Sequence, residues 1–101
     1  MPILKNADVT ARLKTLPGWR RRGSAISREF LFDGFKPAMT FVKKVAVAAE
    51  ASDHHPDIDI RWNRVTLVLS THSEGGITGK DFAMALRCSA LFSLTAGTQG
   101  R

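Results

Sequence analysis

Apolar positions along the chain change their spacing four times, alternating between helical and extended periods. Val9, Leu13 and Leu16 recur at helical spacing behind Asp8, and Pro17-Gly18 closes the run, so a first helix capped by Asp8 is predicted. After Trp19 and the basic triplet Arg20 to Arg22, a turn at Gly23-Ser24 leads into Ile26, Phe30 and Phe32 on alternate positions, which reads as a hairpin with Arg28 interrupting the apolar face of its second strand. From Phe35 the spacing is helical again through Ala38, Met39, Val42, Val45, Ala46 and Ala49, with Pro37 in the first turn, where a missing N–H costs nothing. This long helix should end near Asp53.

Alternation then returns. Ile58, Ile60 and Trp62 are followed by Asn63-Arg64 and by Val65, Leu67, Leu69 and Thr71, a second hairpin. Thr78 and Asp81 stand at capping-box spacing ahead of a last helix through Phe82, Ala85, Leu86 and Phe92 that should fray near Gly97. The order helix, two strands, helix, two strands, helix predicts an α+β fold: a four-stranded antiparallel sheet with three helices packed on one face. No linker or low-complexity stretch interrupts residues 1–101, so a single domain is expected.

Composition narrows this picture. A content of 44% hydrophobic and 24% charged residues is that of an ordinary globular chain. The lone Cys88 excludes an intramolecular disulfide and a cysteine-rich metal site, and fits a reducing, cytoplasmic setting. Lys5, Asp8, Arg12 and Lys14 break up the apolar stretch a secretory signal would need, and no run approaches the roughly 20 apolar residues of a membrane span. The formal charge of +6 permits acidic ligands, but Arg20 to Arg22 is the only dense basic run and no aromatic residues alternate through it, which argues against nucleic acid as the partner.

Candidate chemistry is concentrated in the histidines. His54-His55-Pro56 follow the long helix and His72 closes a strand. If Asn63-Arg64 is a two-residue turn, Trp62 faces Val65, Ile60 faces Leu67 and Ile58 faces Leu69, and the same pairing places Asp57 across from Ser70 and His55 across from His72. Three imidazoles then crowd one end of the hairpin. Because histidine titrates near neutrality, such a cluster can hold a proton donor and a proton acceptor together. Glu50, Asp53 and Asp81 are near enough in sequence to orient them. Surface or turn histidines would be the unremarkable explanation, and a helix cap the unremarkable one for Asp81; a cap alone predicts that Asp81→Asn costs about 1 kcal/mol or less. Trp19 and Trp62 sit on apolar alternations and are expected in the core.

Glu50, three residues, His54-His55-Pro56, five residues, Trp62, nine residues, His72, eight residues and Asp81 resemble the signature of the pterin-4a-carbinolamine dehydratases. The surroundings agree: Leu16-Pro17-Gly18-Trp19 before the first strand, Phe30 to Phe35 before the long helix, Ala49-Glu50 near its end and Ser70-Thr71-His72 before Gly75-Gly76. Two positions depart from the pattern, Ile58 where many animal members have tryptophan and Trp62 where tyrosine is common, which bears on how a pterin ring would stack.

The resemblance implies a hydro-lyase, a 4a-hydroxytetrahydrobiopterin dehydratase that removes water from the 4a-carbinolamine during tetrahydrobiopterin recycling. It implies that Asp53, His54, His55, Ser70, Thr71, His72 and Ser73 surround the pterin, that His54, His55 and His72 carry the chemistry supported by Glu50 and Asp81, and that no metal or organic cofactor is required. It also implies a homodimer extending the sheet, or a homotetramer. Two other readings compete. Three histidines with Asp81 could make four zinc ligands, although adjacent His54 and His55 would point apart in an extended segment. A non-catalytic dimerisation or binding module of the same fold is the other, since animal members also serve as partners of a transcription factor. A phosphate loop at Glu74 to Lys80 fails on its glycine spacing and on Asp81 in place of Ser or Thr.

Overall fold

A computed structural model describes residues 2–98. Its elements run α1 Asn6–Leu13, β1 Arg20–Arg22, β2 Ala25–Leu31, α2 Phe35–Ser52, β3 Asp57–Arg61, β4 Arg64–Leu69 and α3 Gly79–Thr98. The strands form one antiparallel sheet in the order β1-β2-β4-β3. This is the α+β order expected from the sequence.

One face of the central strands supplies the core. Ile26 and Phe30 of β2 and Val65, Leu67 and Leu69 of β4 are all at most 1% exposed, and they meet Val9 of α1, Ala38, Phe41, Val45, Ala48 and Ala49 of α2, and Phe82, Met84, Ala85, Cys88 and Leu91 of α3. Aromatic rings fill the middle. Phe41 lies 4.8 Å from Phe30 and 5.2 Å from Phe32 between ring centroids, and Phe92 closes on both at 5.2 and 5.3 Å. Tilted and edge-on contacts of this kind add to the area each ring buries.

Arg28 does not break this face; it covers it. Its guanidinium sits 4.4 Å above the Phe30 ring and 5.1 Å from that of Phe92 and donates to Ser89 Oγ at 3.0 Å, an oxygen that also accepts the Trp19 indole N–H at 2.8 Å. Burial lowers the Arg28 pKa from its ordinary value. The close approach explains Gly18: a Cβ there would stand 2.7 Å from Arg28 Nε, and the backbone has φ +89, so no other residue fits without displacing the arginine.

Several sequence expectations are corrected. Asp8 lies in the first turn of α1, and Lys5 is the residue at its cap. On α2 the buried stripe is Ala38, Phe41, Val45, Ala48 and Ala49, whereas Phe35 is half exposed and Ala46 faces out. Leu86 of α3 is also exposed.

The second hairpin turns one residue earlier than expected. Arg61 pairs with Arg64, Ile60 with Val65 and Ile58 with Leu67, which makes Trp62-Asn63 the loop. The cause lies outside the hairpin: Asn63 Nδ2 donates to the Phe32 carbonyl at 3.1 Å, and the Asn63 carbonyl accepts the Phe32 N–H at 2.8 Å, so Asn63 is tied to the end of β2. The pairing slips by two residues, an even number, so each side chain keeps its face of the sheet. Trp62, at φ 53 and 65% exposed, is a loop residue and not part of the core. Ile58 and Ile60 stay partly exposed because β3 is an edge strand.

Cys88 is fully buried, and desolvation pushes its thiol up from 9.0 to about 12, with the Arg87 charge acting in the opposite direction. A raised thiol pKa contributes stability that is complete below pH 9.0 and is lost as pH rises toward about 12. At pH 8 the native thiol should therefore ignore a disulfide reagent that labels it fully in denaturant; stoichiometric labelling of the folded protein would contradict this placement.

Candidate active site

The site grows from three chain reversals that meet at one end of the sheet. The first is the end of α2. Asp53 adopts the left-handed conformation (φ 50, ψ 43), the Asp53 N–H turns back to the Glu50 carbonyl and the His54 N–H to the Ala49 carbonyl at 3.1 Å. That pair of bonds is a Schellman ending, at a conformation which aspartate tolerates better than most residues. It throws the two histidines in different directions. His54 reaches across to the start of α3, with Nε2 at 2.6 Å from Asp81 Oδ1, while His55 turns back over the last turn of α2, with Nε2 at 2.6 Å from Glu50 Oε2.

The second reversal follows β4. Thr71 and Gly76 form an isolated bridge, and the Thr71 carbonyl accepts N–H groups from Glu74, Gly75 and Gly76 at 3.0, 2.9 and 3.4 Å. His72 and Ser73 are thereby held on the outside of a tight loop that closes at Gly75, whose φ of +76 suits glycine. Neither side chain has a protein partner among the described residues.

The third is the entrance to α3. The Thr78 N–H donates to Asp81 Oδ2 at 2.9 Å, the Asp81 half of the expected capping box, while Thr78 Oγ1 accepts the Lys80 N–H at 3.2 Å in place of the Asp81 N–H. Asp81 does more than cap. It is 0% exposed, and besides the Thr78 N–H its carboxylate accepts the Thr71 hydroxyl at 2.9 Å and takes His54 on its other oxygen.

A cleft of about 310 Å³ opens where these reversals meet, lined by Asp53, His54, His55, Ser70, Thr71, His72, Ser73 and Lys80. Every residue the sequence reading placed around a ligand is on this wall. Extending the observed register would set His55 across from Ser70, not His72, yet both histidines border the same space. Glu50 and Asp81 stand behind the wall, each against one histidine, and the two pairs differ in burial: the His54 and Asp81 side chains are 11% and 0% exposed, those of His55 and Glu50 53% and 79%. The Glu50 contact is therefore screened and weak, and the Asp81 contact is not. Among the described residues, no group of three or more His, Cys, Asp or Glu is arranged to hold a metal ion.

The sequence offers Lys80 only as the end of a phosphate loop that fails, not as part of this cleft. A signal was present, since a lysine in the first turn of a helix opposes the helix dipole, at a typical cost of about 0.3–1 kcal/mol. Lys80 and His54 also border a second groove of about 420 Å³ between α2 and α3, walled mainly by Ala48, Ala51, Ala83 and Met84.

Fold and cleft together define a small α+β protein with a histidine-lined site at the sheet end. The chain belongs to the pterin 4 alpha carbinolamine dehydratase family, whose profile matches residues 2–91. A relative from Mycobacteroides abscessus, named provisionally as a pterin-4-alpha-carbinolamine dehydratase, is 53% identical over 84% of this chain and 90% of its own length. One from Thermomicrobium roseum with the same provisional name is 47% identical over 92% of this chain and 100% of its own. Among solved structures, a transcriptional coactivator/pterin dehydratase from Brucella melitensis superposes with a TM-score of 0.85 at 37% identity, over 88% of this chain and 97% of that one. A pterin dehydratase-like protein identified as a RuBisCO assembly factor in the alpha-carboxysome shares the fold, with a TM-score of 0.65 at 24% identity over 74% of this chain and 89% of that one.

Asp81→Ala tests how far the site is part of the fold. It leaves the Thr78 N–H, the Thr71 hydroxyl and His54 Nε2 without their acceptor, so unfolding free energy should fall by about 3 kcal/mol or more in denaturant titration. A loss under about 1 kcal/mol would reduce Asp81 to the surface cap that its spacing alone suggests.

Proposed function

We propose that the protein is a hydro-lyase that removes water from a 4a-hydroxytetrahydropterin to give the quinonoid dihydropterin, working in the cytoplasm within tetrahydrobiopterin recycling. The observation that carries this reading is the convergence of His54, His55 and His72 on one cleft, in a chain of the pterin carbinolamine dehydratase family.

The chemistry asks for an acid and a base at close quarters. Hydroxide leaves carbon 4a poorly. A protonated imidazole gives its proton to the hydroxyl, the C–O bond breaks with its electrons going to oxygen, and the lone pair of the neighbouring ring nitrogen forms the new double bond to carbon. The cation so formed loses its N–H proton to a neutral imidazole. His54 and His72 serve as acids on different sides of the ring, and His55 holds the ring or takes the second proton. Asp81 compensates the charge of His54 while it is an imidazolium, and Glu50 does the same for His55 in more water. Asp53, Ser70, Ser73 and Lys80 supply polar contacts to the pterin's heteroatoms. General acid–base help of about two to four powers of ten suffices for a dehydration that already proceeds unaided, and the mechanism calls on no cofactor. The exposed edge strand β3, with all five residues open to solvent, supports assembly as a homodimer or homotetramer.

Chelator-treated protein should accelerate loss of water from freshly generated carbinolamine. His54→Ala or His72→Ala should lower kcat about 10²-fold with KM nearly kept, and His55→Ala should mainly raise KM. A rate no higher than buffer would overturn the enzyme reading in favour of a non-catalytic binding module.

A further inference from the structure

Thr71 borders the cleft, yet none of its polar groups is free to meet a ligand. The residue is 3% exposed; its N–H donates to the Gly76 carbonyl and its own carbonyl is shared by three N–H groups of the following loop. Its hydroxyl lies 2.9 Å from Asp81 Oδ2 and 2.7 Å from Thr78 Oγ1. A hydroxyl has one proton, and a carboxylate can only accept. The Thr71 proton therefore goes to Asp81, which obliges Thr78 to donate to Thr71, while Thr78 Oγ1 in turn accepts the Lys80 N–H. The chain has one direction: Lys80 N–H to Thr78, Thr78 to Thr71, Thr71 to Asp81.

The direction has a chemical end-point. Asp81 Oδ2 is filled by the Thr71 hydroxyl and the Thr78 N–H, which leaves Oδ1 as the acceptor for His54 Nε2. In its neutral form His54 must then carry its proton on Nε2, since the tautomer of an imidazole is set by the partner of one nitrogen. Nδ1 has no protein partner, and no buried side-chain N or O atom among the described residues lacks one, so Nδ1 is the nitrogen open to solvent.

We propose that Thr71 and Thr78 are positioning residues that act through Asp81 to hold His54 as the Nε2–H tautomer, so that Nδ1 is the atom that exchanges a proton with the substrate. This deepens the dehydratase reading and rests on it only for the last step; the tautomer belongs to the resting protein. Thr71 is then a wall of the cleft and not a contact to the pterin.

Long-range proton–nitrogen NMR of ¹⁵N-histidine protein, at a pH where His54 is neutral, reads the tautomer without any turnover. The native protein should show His54 protonated at Nε2 and bare at Nδ1. Asp81→Asn should reverse this. The two donors facing the Oδ2 position select the amide oxygen, the NH₂ then points at His54 Nε2, and the proton must move to Nδ1. In the carbinolamine assay, Thr71→Val should lower kcat about tenfold with KM within about twofold, and Thr71→Ser, which keeps the hydroxyl, should restore the rate. An Nδ1–H tautomer in the native protein, or none of the expected reversal in Asp81→Asn, overturns the proposal whether or not the protein is a dehydratase. A Thr71→Val variant whose KM rises at unchanged kcat would make the hydroxyl a substrate contact and overturn it equally. Absence of turnover in the native protein with the expected tautomer would sink the dehydratase reading and leave the hydrogen-bond chain standing.

Discussion

A carboxylate removed from water has to be given donors, and the way Asp81 is given them determines how this end of the molecule is built. Its partners come from three separate segments: the backbone entering α3, a threonine at the exit of β4 and a histidine just past α2. Each is a buried or nearly buried polar group that would be costly without the carboxylate. No two of the three segments can shift independently without leaving one of these groups unpaired. The bonds that close the fold here also orient an imidazole toward a cleft, so the stability of the fold and the geometry of the cleft are coupled through one side chain.

The rest of the structure gives that junction a fixed frame. Phe41, set between Phe30 and Phe32 with Phe92 closing the cluster, locks α2 and α3 onto β2, while Ala48 and Ala49 keep the last turns of α2 close to the sheet. The Schellman ending at Asp53 then separates two adjacent histidines by turning the chain through a left-handed residue. Here one imidazole is fastened to a buried acid and its neighbour to an exposed one, and the two can differ in role because their surroundings differ.

Element order was legible because the apolar spacing alternates cleanly between helical and extended periods, and the histidines stood out by their grouping at element ends, whereas Ser70, Thr71 and Ser73 came to the site only through the family resemblance. What escaped detection depends on contacts distant in sequence. The hairpin register turned on Asn63 bonding to Phe32, 31 positions away, and no pattern within the hairpin reports that. Trp62 fits an apolar alternation but stands in the loop that this tie creates. Phe41 and Ala48 replace Ala46 on the buried stripe because the side chains of the sheet, not the period of α2 alone, select the contact face. The Thr71–Thr78 bond joins residues across a loop whose closure cannot be read from either threonine.

The central claim is that the space between the ends of α2 and β4 and the start of α3 is a pterin site. A titration with a stable dihydropterin, followed through the imidazole resonances of ¹⁵N-histidine protein, tests it most directly. The account predicts that His54, His55 and His72 shift together and saturate with one dissociation constant, while the indole signal of buried Trp19 stays in place. Histidine signals that do not move at saturating pterin, or a response confined to residues away from this cleft, would contradict it.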